Sequence, residues 1–298
     1  MRRRARTPRR HGGLARRALI VATLVIVLVL GLRLTVCGGA ATSWNAAETG
    51  RLKGKSLGIS DVESLNLSPY SWDNVKKVNG RLAYVRDGET LSSFGIDVSE
   101  HNGDIDWKKV REAGVEFAYI RVGYRGSIAG NIVEDARFAR NMAEARSAGV
   151  KVGVYFFSQA KTEGEAREEA DFATSKLGGA DVDYPVAFDM EPDAAGSDRV
   201  STLSGQELTT AARSFCDQCE KNGYHAVVYG NQYDLSQYDQ AELARHGFWY
   251  AEYGTTPTSR LRFRLWQYTK TGTIPGIDGK VDLDLDLSGA LDAEDAQR

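Results

Sequence analysis

From Phe94 onward, short apolar runs alternate with stretches in which apolar residues recur every three or four positions. Three segments share one order: EAGVEFAYIRVGY (112–124), SAGVKVGVYFFS (147–158) and KNGYHAVVYGN (221–231). Each carries a polar helix end, a glycine and then a β-rich apolar run. A glycine just past a helix supplies the left-handed residue that ends it, and a near-continuous apolar run suits a strand buried on both faces. Helical spacing precedes these runs: Trp107 to Ala113, then Phe138, Met142 and Ala145, then Leu208, Ala212, Phe215 and Cys219. A further helix, through Ala166, Ala170, Ala173 and Leu177, leads into YPVAFDME (184–191). Strands are expected at 93–99, 117–124, 151–158, 184–191, 225–231, 248–253, 262–269 and 280–287. Eight strands alternating with one-sided helices argue for an α/β fold, its parallel sheet closed into a barrel.

The last three strands depart from that rule. About eight residues separate 253 from 262 and about ten separate 269 from 280, whereas a parallel crossover needs about a dozen or more. At least one late strand should therefore run antiparallel. The expected architecture is an irregular (β/α) barrel of about five strand–helix units followed by three strands. Upstream, the Asn-Gly and Asp-Gly pairs at 79–80 and 87–88 flank the alternating run RLAYVR (81–86), which predicts a small β-hairpin packed on the main domain. Residues 44–70 are polar and irregular and read as a tether. The chain thus divides into 1–43, a basic segment with an apolar run; 44–92, tether and hairpin; and 93–298, the barrel.

Charge sharpens the reading of the N-terminus. The net charge is −2, but residues 1–40 hold nine arginines and no acid, which leaves about −11 on the remainder. Such a body is unsuited to nucleic acid, whose binding is dominated by phosphate contacts. Eight of the arginines precede ALIVATLVIVLVLGL (18–32). Basic, then apolar, then small residues mark an export signal. Fifteen apolar residues suit a cleaved signal; the same run serves as an N-terminal membrane helix if Arg33 snorkels to the interface. Either way the body is expected outside the cytoplasm. Of the three cysteines, Cys37 belongs to this leader. Cys216 and Cys219 form CDQC, read here as part of a helix core stripe, because no second ligand pair stands at metal-site spacing.

Four carboxylates stand out by position. Asp97 ends the first barrel strand, Asp189 and Glu191 end the fourth, and Asp282 opens the last. Residues i and i+2 of a strand share a face, and the C-terminal ends of parallel strands form the rim of a barrel where sites are built. Asp97, Asp189 and Glu191 should converge there. An antiparallel last strand would add Asp282, with Asp284 and Asp286 progressively further away. Helix caps and turns are the alternative use of such acids. The DxE pair inside an apolar run argues against it, because buried charges are costly without partners and few cations stand in these motifs. Tyr124, Tyr155, Tyr229, Trp249, Tyr253 and Trp266 fall near the expected strand ends, with Gln267 beside them. An aromatic rim around acids suits sugar rings, which stack their apolar faces and hydrogen-bond their hydroxyls. No metal site, nucleotide loop or Ser-His-Asp set accompanies them.

GIDVSEHNGDIDW, YIRVGYRG, VGVYFFSQA, PVAFDMEP, VVYGN, FWYAEY, LWQYT and GKVDLDL occur in that order. Together they resemble glycoside hydrolase family 25, the Chalaropsis-type lysozymes or N-acetylmuramidases, over about residues 93–287. The resemblance implies an irregular barrel with an antiparallel last strand and cleavage of the β-1,4 bond between N-acetylmuramic acid and N-acetylglucosamine in peptidoglycan. It places the family's four acids on Asp97, Asp189, Glu191 and Asp282, with Glu191 as proton donor. Clustered acids raise one another's pKa, which would keep Glu191 protonated. Asp189 is then either nucleophile or the group that orients the sugar's own 2-acetamido group; the second, with net retention, is the reading preferred here. The expected partners are peptidoglycan strands and, through the N-terminal helix, a membrane; no cofactor is needed, and the chain is expected to act as a monomer. A catalytically silent wall-binding barrel and a chitinase-like enzyme are the rival readings.

Overall fold

The computed structural model describes residues 52–58 and 68–296; the leader, including Cys37, lies outside them. Among the described residues no helix is long and apolar enough to cross a membrane.

Three short strands open the described body: β1 (Val75–Val78), β2 (Arg81–Arg86) and β3 (Glu89–Thr90), all antiparallel. Both dipeptide turns have two positive φ angles, 50° and 84° at Asn79-Gly80 and 53° and 84° at Asp87-Gly88. That is the geometry matching the right-handed twist of a hairpin. The single hairpin expected from the sequence is thus a three-strand meander, since the second turn also folds back. It packs on the barrel through Tyr70, Trp72 and Tyr84, with the Trp72 ring stacked on Phe263 at 6.1 Å.

Eight strands then close a barrel: β4 (Ser93–Val98), β5 (Phe117–Arg125), β7 (Lys151–Phe157), β8 (Val186–Asp189), β9 (Ala226–Asn231), β10 (Phe248–Ala251), β11 (Leu265–Gly272) and β12 (Val281–Asp286). From β4 through β11 every neighbouring pair in the chain-order walk is parallel. β12 alone runs antiparallel, to β11 on one side and β4 on the other, and completes the closure. The short strand β6 (Ile132–Glu134) adds to β5 outside the ring. The five units carry helices α1 (Trp107–Glu112), α2 (Phe138–Ser147), α3 (Glu163–Leu177), α4 (Gly205–Lys221) and the pair α5 (Gln232–Ser236) and α6 (Gln240–Leu243). Between β10 and β11 the chain crosses over without a helix and still arrives parallel. A last helix, α7 (Ser288–Asp295), follows the barrel.

The glycines after α1, α2 and α4 adopt the left-handed conformation that the sequence grammar required. Cys216 and Cys219 are free and buried in the apolar face of α4 beside Leu208, Ala212 and Phe215. Two apolar layers result. The outer one lies between strands and helices. The inner one fills the barrel with Phe117, Tyr119, Tyr184, Ala187, Val227, Trp249 and Leu265, and it includes Leu57. Residues 52–58, inside the stretch read as a tether, therefore close the barrel floor. Lys53 donates its N–H to Gly223 O at 2.7 Å and Lys55 its N–H to Asp183 O at 3.0 Å. The Lys55 ammonium meets Asp286 Oδ2 at 2.8 Å, where the Tyr184 hydroxyl also donates at 2.9 Å.

Candidate active site

Strand register brings the four acids together at the C-terminal mouth. Asp97 lies directly opposite Asp282 across the β4–β12 pair, and Asp189 ends β8 with Glu191 two residues beyond. A cavity of about 310 Å³ opens there, lined by all four together with Tyr155, Phe157, Tyr229, Trp249, Tyr253, Gln267, Ser99, His101, Arg121 and Lys270. A larger open crevice of about 770 Å³ lies between α1, α2 and the β11–β12 loop. Several of its charges are paired among themselves, as in Arg140 with Glu144 and Lys109 with Asp106.

Seven residues were expected on the substrate-binding wall, and the structure divides them. Tyr155, Tyr229, Trp249, Tyr253 and Gln267 line the cavity. Tyr124 does not; it lies under the Arg121 guanidinium, 5.2 Å from ring centre to charge. Trp266 does not either. It is fully buried in the outer layer, 5.8 Å from Trp72, and its indole N–H donates to Glu252 O at 3.1 Å. Adjacent strand residues face opposite sides, so Trp266 and Gln267 could not both reach the site, nor could Tyr250 accompany Trp249.

The wall is tied together by hydrogen bonds. The Tyr229 and Tyr253 hydroxyls donate to Gln267 Oε1 at 2.9 and 2.6 Å, and Gln267 Nε2 donates to Asp97 Oδ2 at 2.6 Å. Trp249 forms the floor, stacked on Tyr119 at 4.4 Å. Asn231, at the end of β9, accepts through its side-chain oxygen from the backbone N–H groups of Tyr233 and Asp234 as the cap of α5.

Electrostatics separates the acids. Burial, then the charges of Asp234 and Asp282, push Glu191 up to about 7, against the pull of Lys270. Glu191 faces the open mouth, yet the walls displace enough water for desolvation to lead. Like charge is therefore second to burial, and it comes first from Asp234 and then from Asp282. Burial and then Glu191 and Asp234 raise Asp189, whose Oδ1 has no hydrogen-bond partner. Burial raises Asp282 to about 6. Two cations not anticipated stand here after all. Arg121, which ion-pairs with Asp135 and Glu100, occupies the inward-facing position after Phe117 and Tyr119, a place that counting by twos along β5 would have found. Lys270 lies on β11 past its first bulge, where counting fails. Asp234 carried no signal beyond its place after the Asn231 cap.

A closed α/β barrel with a DxE pair at its mouth and two further acids inside an aromatic cavity defines a glycosidase-type hydrolase. The family described as glycosyl hydrolases family 25 matches residues 96–277. Lysozyme M1 of Streptomyces globisporus is 30% identical over 207 residues, which cover 65% of this chain and 67% of that one. Among solved structures, the modular autolysin LytC of Streptococcus pneumoniae superposes with TM-score 0.59 at 25% identity over 71% of this chain, and a lysozyme of Streptomyces coelicolor with 0.55 at 27% identity over 64%. The matched region is 90% of the Streptomyces coelicolor lysozyme but only about half, 52%, of the pneumococcal autolysin. The chain belongs to glycosyl hydrolase family 25 and is an enzyme of its lysozyme type.

Proposed function

We propose that the protein hydrolyses the β-1,4 bond between N-acetylmuramic acid and N-acetylglucosamine in peptidoglycan. The observation that carries this reading is Glu191, held at about 7 at the mouth of an acid-lined aromatic cavity beside the ionisable Asp189. Glycoside cleavage needs a protonated acid for the leaving oxygen and a negative partner at the developing oxocarbenium centre. Glu191 retains its proton near neutral pH and fits the first role. Asp189 takes the second once the coupled pair holds a single proton, on Glu191, and orients the 2-acetamido group for attack with net retention. Asp97 and Asp282 set charge and bind hydroxyls, and Tyr155, Tyr229, Trp249 and Tyr253 supply ring faces. The autolysin LytC was solved with a synthetic peptidoglycan ligand, which supports the substrate class. The chain acts outside the cytoplasm as a monomer, tethered through its N-terminal apolar segment or released by its cleavage. Digestion of purified peptidoglycan, borohydride reduction and mass spectrometry test the bond: reduced muramic acid at the new ends is expected. Reduced glucosamine would show the other linkage to be cut, and intact glycan would favour a silent wall-binding barrel.

A further inference from the structure

Asp284 lies one step deeper than the acids already described. It faces Gly95 across the β4–β12 pair, and Asp282 faces Asp97, so Asp284 and Asp97 are diagonal neighbours on the inner barrel face. Gly95 has no side chain to separate them. Asp284 is fully buried and Asp97 is 8% exposed. Asp284 Oδ1 accepts from Trp249 Nε1 at 2.9 Å, and Asp97 Oδ2 accepts from Gln267 Nε2 at 2.6 Å. Asp284 Oδ2 receives no N–H or O–H. This buried, donorless oxygen shares the inner face with the Asp97 carboxyl, with only Gly95 between them. Two ionised carboxylates so placed have no hydrogen to put between them, whereas a proton on one removes the repulsion and supplies the missing hydrogen bond.

We propose that Asp284 shares a single proton with Asp97 and so acts as a positioning residue that fixes Asp97, and through it Gln267, while it holds Trp249 directly at the inner wall of the site. The proposal rests on the reading of this cavity as the active site. The surroundings favour one retained proton. Burial raises both carboxyls well above the usual range, and Asp282 adds negative charge to each. Asp189 on β8 adds to Asp97. The other groups facing the pair are Tyr119 on β5, Tyr155 on β7, Tyr229 on β9 and Tyr253 beyond β10. All are phenols without positive charge. Of the two cations lining the cavity, Arg121 is engaged by Asp135 and Glu100, and Lys270 acts on Glu191 and Asp282.

Asparagine at 284 would keep an oxygen for Trp249 and place a permanent N–H toward Asp97. Asp284→Ala should therefore lower kcat by about 10- to 100-fold, the scale of a misplaced catalytic wall, and Asp284→Asn should restore most of it. The infrared carbonyl band of a protonated carboxyl, present in the wild type, should weaken in Asp284→Asn and in Asp97→Asn alike. A shared proton is a raised folded-state pKa, so its contribution to stability disappears as pH rises through the titration of the pair. The wild-type Tm should fall over that range by more than that of Asp284→Asn, in which the other raised carboxyls still titrate. The proposal is overturned if folded Asp284→Asn is as slow as Asp284→Ala, or if the band keeps its full wild-type intensity in both Asn variants. If Asp284→Ala does not fold, the two Asn variants decide. The band and the Tm profile are read without substrate, so a protein that cleaves no peptidoglycan would refute the proposed function and leave this pair still under test.

Discussion

Removing the Asp282 charge should move the alkaline limb of hydrolysis to lower pH without removing the catalyst. Glu191 must be protonated to donate, so the rate falls as pH climbs through its pKa, near 7. Asp282 is ionised above about 6 and is therefore negative across that limb. Its charge disfavours ionised Glu191. In Asp282→Asn the carboxyl of Glu191 gives up its proton earlier. The size follows from the order of causes. Burial leads and Asp234 comes second, so Asp282 accounts for less than a third of the rise from 4.5 to about 7 before Lys270 is subtracted. Solvent at the mouth screens the pair further, and a shift of roughly half a pH unit is expected, about threefold in rate above the limb. Lys270→Met should move the limb the other way, since that cation favours ionised Glu191. Asp97→Asn should lower the absolute rate but leave the limb in place, because the Asp97 carboxyl is itself raised well above the usual range. Initial rates of reducing-end release across the pH range, fitted for the limb in all four proteins, decide it. An unmoved limb in Asp282→Asn, or an equal shift in Asp97→Asn, would refute the assignment of charges.

Three more outcomes are expected. Glu191→Gln keeps the size of the side chain but cannot donate a proton, so kcat should drop by about 10²- to 10⁴-fold with circular dichroism unchanged; activity above about a tenth of wild type would remove Glu191 from the acid role. At the floor, burial works to raise Asp286 while Lys55 and Ser288 more than offset it and hold its carboxyl below the usual range. A depressed pKa gives stability above the unfolded value that is lost as pH falls. Lys55→Met should thus cost about 1–2 kcal/mol at neutral pH, less than a fully buried pair because Lys55 is part-exposed, and the deficit should shrink in urea titrations near pH 3. Trp266→Leu should cost about 2–3 kcal/mol through lost packing and the lost bond to Glu252, with kcat of the folded protein unchanged; a fall in kcat at full stability would return Trp266 to the site.

The barrel was legible because its signals are periodic. Glycine after helix, then apolar strand, recurs often enough to locate the strands, and connection lengths alone showed that a late strand had to reverse. The DxE pair was legible for the same reason, since i and i+2 share a face. Misreadings arose where an adjacent pair was assigned to one side, as with Trp266 beside Gln267. Others arose where the function of a residue depends on what lies across the sheet. Arg121 and Asp284 are inward-facing by simple alternation, but nothing in their own segments tells that one meets Asp135 and Glu100 and the other Asp97 and Trp249. Lys55 and Leu57 were beyond reach for a different reason: a polar, aperiodic stretch does not announce that two of its residues fill the end of a barrel.

The reversed last strand has a chemical consequence as well as a topological one. A parallel strand reaches the mouth only at its C-terminal end and goes on into a loop, so it commonly gives one or two groups to the site. β12 enters at the mouth and runs to the floor, and its inward-facing positions are all aspartate: Asp282, Asp284 and Asp286. The same side chain then meets three environments along one strand. At the mouth Asp282 rises only to about 6 and stays available as a negative charge. Halfway down, full burial and then the charge of Asp282 drive Asp284 well above the carboxylate range. At the floor Lys55 reverses the sign and holds Asp286 ionised. Depth and partner, not residue type, decide protonation. The charge needed near Glu191 can therefore sit above a neutral layer and an ion-paired base without three anions repelling one another through the core.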